Sequence, residues 1–451
     1  MTTLISDYVS PANSVLAATS LLPDTGAADS AAPQPFLPRE CESLEEAGLP
    51  QALVATLVFK HLLAKGTNTG RGMARDLCVP GKPLVELLTE LKNQQFVVYS
   101  GSGTMGDFSY TLTEAGRERA KRHLEECAYC GPAPVPLERY VASVHAQTIE
   151  QEHPTAEQLR AAFGDLLINE RTLCRLGPAI NSGRGLFLYG QPGNGKTSIA
   201  ERVTRCFGTQ VWIPKAISVE GELIPLYDPQ CHKPVGSDRP SVVKGQQHDP
   251  RWIKIERPTI VVGGELTLDA LDLRYNEYTK ITEPPLQLKS NNGTLVIDDF
   301  GRQRVDPFAL LNRWIVPLEK RYDFLTLHNG KKLQVPFDQL IIFSTNLEPK
   351  ELVDDAFLRR IPYKIDITDP TEYEFRKLMR TMAEQFGLQY DDEAVDYLIQ
   401  EHYHNSERPF RCCHPRDLLM QIVHQARYFE QPPVMSAEGF DLACQSYFAV
   451  M

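Results

Sequence analysis

The sequence predicts an α/β protein whose main domain is a parallel sheet flanked by helices, with a helical segment behind it and a smaller α+β domain in front. Three observations predict it. Leu186 to Tyr189 is a short apolar run that passes directly into the glycine-rich stretch Gly190 to Ser198. Gly293 to Ile297 is a second run, closed by Asp298 and Asp299, and Leu340 to Phe343 is a third, closed by polar residues through Asn346. Short apolar runs bounded by turn residues are how strands buried on both faces read in sequence. The length of 451 residues corresponds to about three domains. With 42% hydrophobic and 23% charged residues, a disordered, collagenous or membrane-embedded chain is excluded. No apolar run approaches the roughly 18 to 20 residues of a spanning helix. The first basic residue is Arg39 and the ten cysteines are scattered, so the expectation is a cytoplasmic chain with reduced thiols and no membrane insertion.

Taken in order, residues 1–38 mix Ala, Ser, Pro and Asp without periodicity and read as a flexible tail. Residues 39–127 hold three helical patterns, beginning with Leu53, Leu57, Val58 and Leu62 at helical spacing. A strand at Phe96 to Tyr99, a turn at Gly101 to Gly103, a returning strand at Phe108 to Leu112 and a closing helix complete them. Three helices and a two-stranded ribbon resemble a winged helix, a fold that often reads DNA with its third helix. Residues 40–127 carry ten Lys and Arg against twelve Asp and Glu. That balance, with a net charge of -11 for the whole chain, favours a protein-docking or structural module over a DNA reader. Residues 128–152 read as a proline-rich linker, because Gly131 to Pro136 suits no regular ladder of hydrogen bonds. The main domain then spans 153–368 and the helical segment 369–451. Within the main domain, Val211 to Asp269 reads as a structural insert with a polar loop at 238–249.

The chemistry lies at the ends of the three apolar runs. Gly190, Gln191, Pro192, Gly193, Asn194, Gly195, Lys196, Thr197 and Ser198 match G-x-x-x-x-G-K-[ST] between a strand and a helix. In that motif backbone N–H groups cradle phosphate oxygens, the lysine supplies a point charge to the β and γ groups, and the Thr197 hydroxyl ligates Mg²⁺. Asp298 is placed to serve the same Mg²⁺, and Asp299 to polarise an attacking water. Asn346 ends the third strand with a neutral amide able to orient that water. Asn329-Gly330, between Phe324 to Leu327 and Leu333 to Val335, is a hairpin signal ahead of it. Arg359 and Arg360 follow, suited to a neighbouring subunit's nucleotide or to a solvated helix end. His414-Pro415-Arg416-Asp417 opens a late amphipathic helix. Cys127 and Cys130 have metal-ligand spacing, but one pair closes no tetrahedral site.

From about residue 155 onward these features occur in the order and spacing of the AAA+ ATPases, and this part of the chain resembles that family. On that likeness Gly190 to Ser198 look like Walker A, Asp298 and Asp299 like Walker B, and Asn346 like sensor 1. Arg359 and Arg360 look like arginine fingers, and Arg416 like sensor 2 on a helical lid. The hairpin looks like the pre-sensor-1 insertion. The resemblance implies a P-loop AAA+ core, ATP and Mg²⁺ as cofactors, ATP hydrolysis, and a homo-oligomeric ring, favouring a hexamer, that remodels a protein substrate or assembly partner. The front domain with Gly263 to Leu273 is also similar to bacterial predicted ATPases with chaperone activity associated with pilus assembly. Most AAA+ members carry Glu where this chain has Asp299. Two rival expectations stand beside the remodeller: a transcription regulator whose front domain binds DNA, and a nucleotide-gated scaffold in which Asp299 gives weak hydrolysis.

Overall fold

The structure is a computed structural model that describes residues 36–102, 107–236, 248–352 and 355–448. The tail expected at 1–38 lies almost wholly outside the described residues. So do Gly103 of the ribbon turn and most of the 238–249 loop. In front, helices α1 (Gln51–Lys65), α2 (Gly70–Leu77), α3 (Gly81–Asn93) and α4 (Glu114–Glu126) surround strands β1 (Thr67–Thr69), β2 (Val97–Ser102) and β3 (Phe108–Leu112). The strands form one antiparallel sheet in the order β1-β3-β2. Strand β1 was not expected from sequence: Thr67-Asn68-Thr69 is polar and too short for a period, and only its pairing with Ser109 to Thr111 makes it a strand.

The 128–152 segment differs from a ladder-free linker. It holds β4 (Val135–Pro136) and α5 (Leu137–Ala146) and ends in a 3-10 turn at Ile149–Gln151. Proline tolerates an edge position because its missing N–H asks for no partner there.

The main sheet follows α6 (Ala156–Ala162) and α7 (Glu170–Asn181). Strand β5 (Leu186–Tyr189) leads through the glycine-rich loop to α8 (Lys196–Val203). Next come β6 (Gln210–Pro214), β7 (Ala216–Val219), β8 (Glu222–Pro225), β9 (Trp252–Glu256), β10 (Thr259–Val262), β11 (Arg274–Asn276), β12 (Ile281–Glu283), α9 (Leu286–Lys289) and β13 (Gly293–Ile297). Then α10 (Pro307–Lys320), β14 (Tyr322–Thr326), β15 (Lys332–Pro336), β16 (Gln339–Thr345), α11 (Pro349–Leu352), α12 (Asp355–Leu358) and β17 (Tyr363–Asp366) complete the domain. Strands β10, β13, β16, β5 and β17 lie side by side in that order, all parallel. Every residue of β13 and β16 is buried. Alternate residues serve opposite faces: Leu186, Leu188, Val296 and Ile342 pack with α7 and α8, while Phe187, Leu295, Ile341 and Phe343 pack with α10.

The insert is ordered where described and makes a second β-layer. Strand β4 runs parallel to β7, β7 pairs β8, and β6 pairs β9. The hairpin β14–β15 forms around Asn329-Gly330, but it packs into this layer rather than standing clear. Leu325, Leu333 and Val335 share a core with Tyr140 and Val144 of α5 and with Ile213, Ile217 and Ile255. Two nodes fasten the layers. Asp338 is buried and accepts from Thr148 Oγ1 at 2.8 Å, Ile149 N at 3.1 Å and Asn292 Nδ2 at 2.7 Å. Arg251, 1% exposed, pairs with buried Asp249 at 2.7 Å and donates to Ala47 O at 2.8 Å and Pro134 O at 3.1 Å. It thereby ties the front module, the 128–152 segment and the insert together, and the front module's core takes in Ala216 and Leu223 of the insert.

The last helices are α13 (Glu372–Phe386), α14 (Asp392–Ile399), α15 (His414–Tyr428) and α16 (Ala437–Phe448), packed round Phe375, Leu398, Leu418 and Phe440. A capping box of Thr371 and Glu374 starts α13. Among the described residues no helix is long and apolar enough to cross a membrane.

Removing the Arg251 guanidinium strands the Asp249 carboxylate and two carbonyls in a dry interface. Arg251→Ala is expected to lower unfolding free energy by about 3–5 kcal/mol, measured by urea denaturation.

Candidate functional site

In a parallel sheet covered on both faces, ligands are met at the carboxyl ends of the strands. Here the carboxyl ends of β5, β13 and β16 bring Gly190, Asp298 and Asn346 to one edge. The turn after β5 needs glycine for two different reasons. Gly190 has φ +134°, and a Cβ there would lie 2.4 Å from Ile367 O. Gly193 has φ +86°, and a Cβ there would lie 2.6 Å from Cys413 Sγ. The helix that follows leaves its first N–H groups without intrahelical acceptors, directed at the space the loop encloses.

Lys196 is 7% exposed and its ammonium is held by three oxygens: Gly190 O at 2.9 Å, Gln191 O at 3.0 Å and Asn346 Oδ1 at 2.6 Å. Burial pulls its pKa below the ordinary lysine range, the carboxylates of Asp298 and Asp299 oppose that pull, and Arg411 adds to it. Thr197 Oγ1 donates to Asp298 Oδ2 at 2.8 Å. An alcohol and a carboxylate oxygen in contact, at a helix N-terminus with a lysine beside them, are a hard-oxygen donor set that suits Mg²⁺ on a phosphate chain. Asp299 is exposed with φ +49°, in the left-handed region that Asp enters more readily than Glu. That backbone gives a physical reason for Asp299 where the resemblance led one to expect glutamate.

The phosphate loop is also gripped from the C-terminal helices. Cys413 N donates to Gly193 O at 2.9 Å, and Cys412 N to Asn194 Oδ1 at 3.3 Å. Asn194, 4% exposed, donates through Nδ2 to Asp369 Oδ1 at 2.6 Å, and Arg411 forms an ion pair with the same carboxylate. Beside this grip a pocket is lined by Leu167, Ile168, Ile199, Ile367, Leu378 and Cys412. Asp369, Arg411 and the pocket were missed in the sequence. Asp369 lies just past β17, a strand the sequence did not single out, while the pocket is assembled from four separate segments and leaves no motif.

The structure therefore brings together Gly190 to Thr197, Asp298, Asp299 and Asn346. Of the remaining candidates, the arginine pair lies at the other end of the sheet. Arg359 and Arg360 precede the amino end of β17, whereas the phosphate loop follows the carboxyl end of its neighbour β5. Arg359 is exposed, and Arg360 Nε donates to Glu319 at 2.6 Å. Arg416, with 62% of its side chain exposed, bonds its sequence neighbour Asp417 at 2.9 Å. Ser198 is half-buried in α8, its carbonyl accepting from Arg202 at 2.9 Å. Among the described residues no group of three His, Cys, Asp or Glu is arranged to hold a metal ion. Cys412 and Cys413 belong to the phosphate-loop grip, while the carbonyl of Tyr129, between Cys127 and Cys130, accepts from buried Lys60 at 3.3 Å.

What fold and loop define is a class: an α/β core carrying a G-x-x-x-x-G-K-T loop at the carboxyl edge of a parallel sheet. Residues 371–446 match a family described as a domain of unknown function (DUF8689). No curated protein matches the chain. Among solved structures, NtrX from Brucella abortus aligns with 63% of this chain and 57% of its own at 13% identity and a TM-score of 0.39, so the alignment spans less than two thirds of the NtrX chain. The RuvB Holliday junction branch migration motor of Thermotoga maritima aligns with 64% of this chain and 72% of its own at 12% identity and a TM-score of 0.36.

Two outcomes are expected. Asp299→Glu puts a longer side chain on a left-handed backbone and should cost about 1 kcal/mol of stability in urea denaturation. His414 opens α15 at 8% exposure with Nδ1 2.9 Å from the Tyr403 hydroxyl. Burial, followed by Arg411 and Arg408, pushes its pKa down to about 4, against the opposing carboxylates of Asp417 and Asp369. A folded pKa below the unfolded one means that stability is complete above about pH 6.5 and falls as pH drops toward 4. The loss between pH 7 and pH 5 should be about 2 kcal/mol, and should disappear in His414→Gln.

Proposed function

We propose that the chain binds ATP with Mg²⁺ between the phosphate loop and the acid pair, hydrolyses it, and uses the cycle to remodel a protein partner as part of a ring. One observation carries the reading: Lys196 meets Asn346 while Thr197 meets Asp298, so groups from the ends of three strands converge at one point. Thr197 and Asp298 would hold the Mg²⁺, which would neutralise phosphate charge. Lys196 and the α8 N-terminus would bind the β and γ groups, Asp299 would accept the proton of the attacking water, and Asn346 would orient it. The pocket beside Asn194 would take the base.

The partner reading is supported by the front module. The exposed surface of α3 carries Val85, Glu86 and Glu90 with Lys82, Lys92 lies over the Tyr99 ring at 4.1 Å, and Tyr99 stacks on Phe108 at 4.5 Å. Balanced charge and exposed apolar groups there suit a protein surface better than a phosphate backbone. The ring reading is supported by the amino-edge position of Arg359 and Arg360, from which arginines would serve a neighbour's nucleotide rather than their own.

Lys196→Ala should reduce phosphate release by more than about 10²-fold and abolish the calorimetric heat of Mg-nucleotide binding; a variant as active as the parent sinks the assignment. The arginine role has its own test. Arg359→Ala/Arg360→Ala subunits and Lys196→Ala subunits should each be inactive alone, yet regain phosphate release when mixed. Silence in the mixture would mean that the arginines do not act across an interface.

A further inference from the structure

We propose that Gln303 is a positioning residue for the Asp299 carboxylate, an inference that rests on the ATPase reading above and names a further residue for that reaction. Five residues beyond Asp298, the Gln303 side chain closes the turn from both ends. Its Oε1 accepts from Gly301 N at 2.8 Å and its Nε2 donates to Asp298 O at 2.8 Å. A neutral amide does both at once, whereas a carboxylate only accepts and an alkyl group does neither.

The far side of the turn is already fixed. Phe300 N donates to Ser344 O at 2.7 Å, and Thr345 Oγ1 donates to Phe300 O at 2.9 Å, which anchors Phe300 to the strand that ends in Asn346. Arg302 N returns to Asp299 O at 3.0 Å. Gly301, at φ +99°, sits where a Cβ would meet Leu352 Cδ2 at 2.6 Å, so the turn has little room to shift toward α11. Between these anchors lies Asp299, exposed and left-handed. The backbone sets the position of the Asp299 Cα and Cβ, from which its short side chain extends, and Gln303 holds that backbone. The short aspartate side chain sharpens the demand, because it has one methylene fewer than glutamate with which to absorb a displaced Cα. Misplacement by about 1 Å at a reacting centre costs on the order of 10²-fold in rate.

The test uses the full chain carrying Gln303→Ala or Gln303→Glu, the latter keeping length and acceptor while losing the donor. Phosphate release from Mg-ATP should fall about 10²-fold in kcat for Gln303→Ala, with KM and the calorimetric Kd within about twofold of the parent. In an Asp299→Asn background the same change should lose less than about a further twofold, since Gln303 then has no carboxylate to aim. An unchanged kcat, a loss confined to KM, or a full additional loss in the Asp299→Asn background overturns the inference. If Gln303→Ala does not fold, Gln303→Glu decides by the same comparison. Should the parent itself release no phosphate, the ATPase reading falls, and amide hydrogen exchange over residues 298–303 decides the positioning separately: faster exchange in the variant upholds it and unaltered exchange overturns it.

Discussion

A sheet buried on both faces can present chemistry only where its strands stop, and that constraint governs this molecule. Five parallel strands end on one edge, so a glycine turn, an acid pair and an amide that lie far apart in the chain become neighbours without any long side chain reaching across the core. The Lys196 ammonium is the product of this convergence. It is nearly dry, yet held by two carbonyls of its own loop and by Asn346, while burial lowers its proton affinity and the charges of Asp298 and Asp299 oppose that pull.

Around that edge the chain has built outward in β-structure. The hairpin ahead of β16 is not a free projection: His328 stacks on Tyr275 at 3.9 Å, its N–H donates to Glu222 at 3.0 Å, and Lys331 pairs with Glu220 at 2.7 Å. The strand that ends in Asn346 is therefore continuous, through hairpin and insert, with the layer on which the front module rests. The opposite flank is closed by residues 411–413 against Gly193 and Asn194. The phosphate loop thus touches both the sheet and the C-terminal helices.

The sequence made the central strands legible because each is a run of apolar residues closed by a polar one. The hairpin could be read from Asn329-Gly330, and the start of α15 lies where Pro415 suggested. What could not be read depends on distant pairing. Thr67 to Thr69 become a strand only beside β3, and Val135-Pro136 only beside β7. The Asn194 to Asp369 hydrogen bond joins residues 175 positions apart, and Asn194 to Cys412 spans 218. No periodicity records such contacts. The Asp299 question was visible as an unexpected residue type but not as a backbone angle, and the angle is what explains it.

The Arg251 node has a consequence for anyone dissecting the molecule. Composition between residues 128 and 152 suggests a place to cut, yet Pro134 O and Ala47 O are ligands of a guanidinium that belongs to the insert. A fragment beginning after residue 152 would keep the cation and its carboxylate while losing two of their acceptors, and would bare Ala216 and Leu223 to water. Such a truncation would be prone to self-association through that uncovered face. Its behaviour would describe the wound left by the cut, not an autonomous engine.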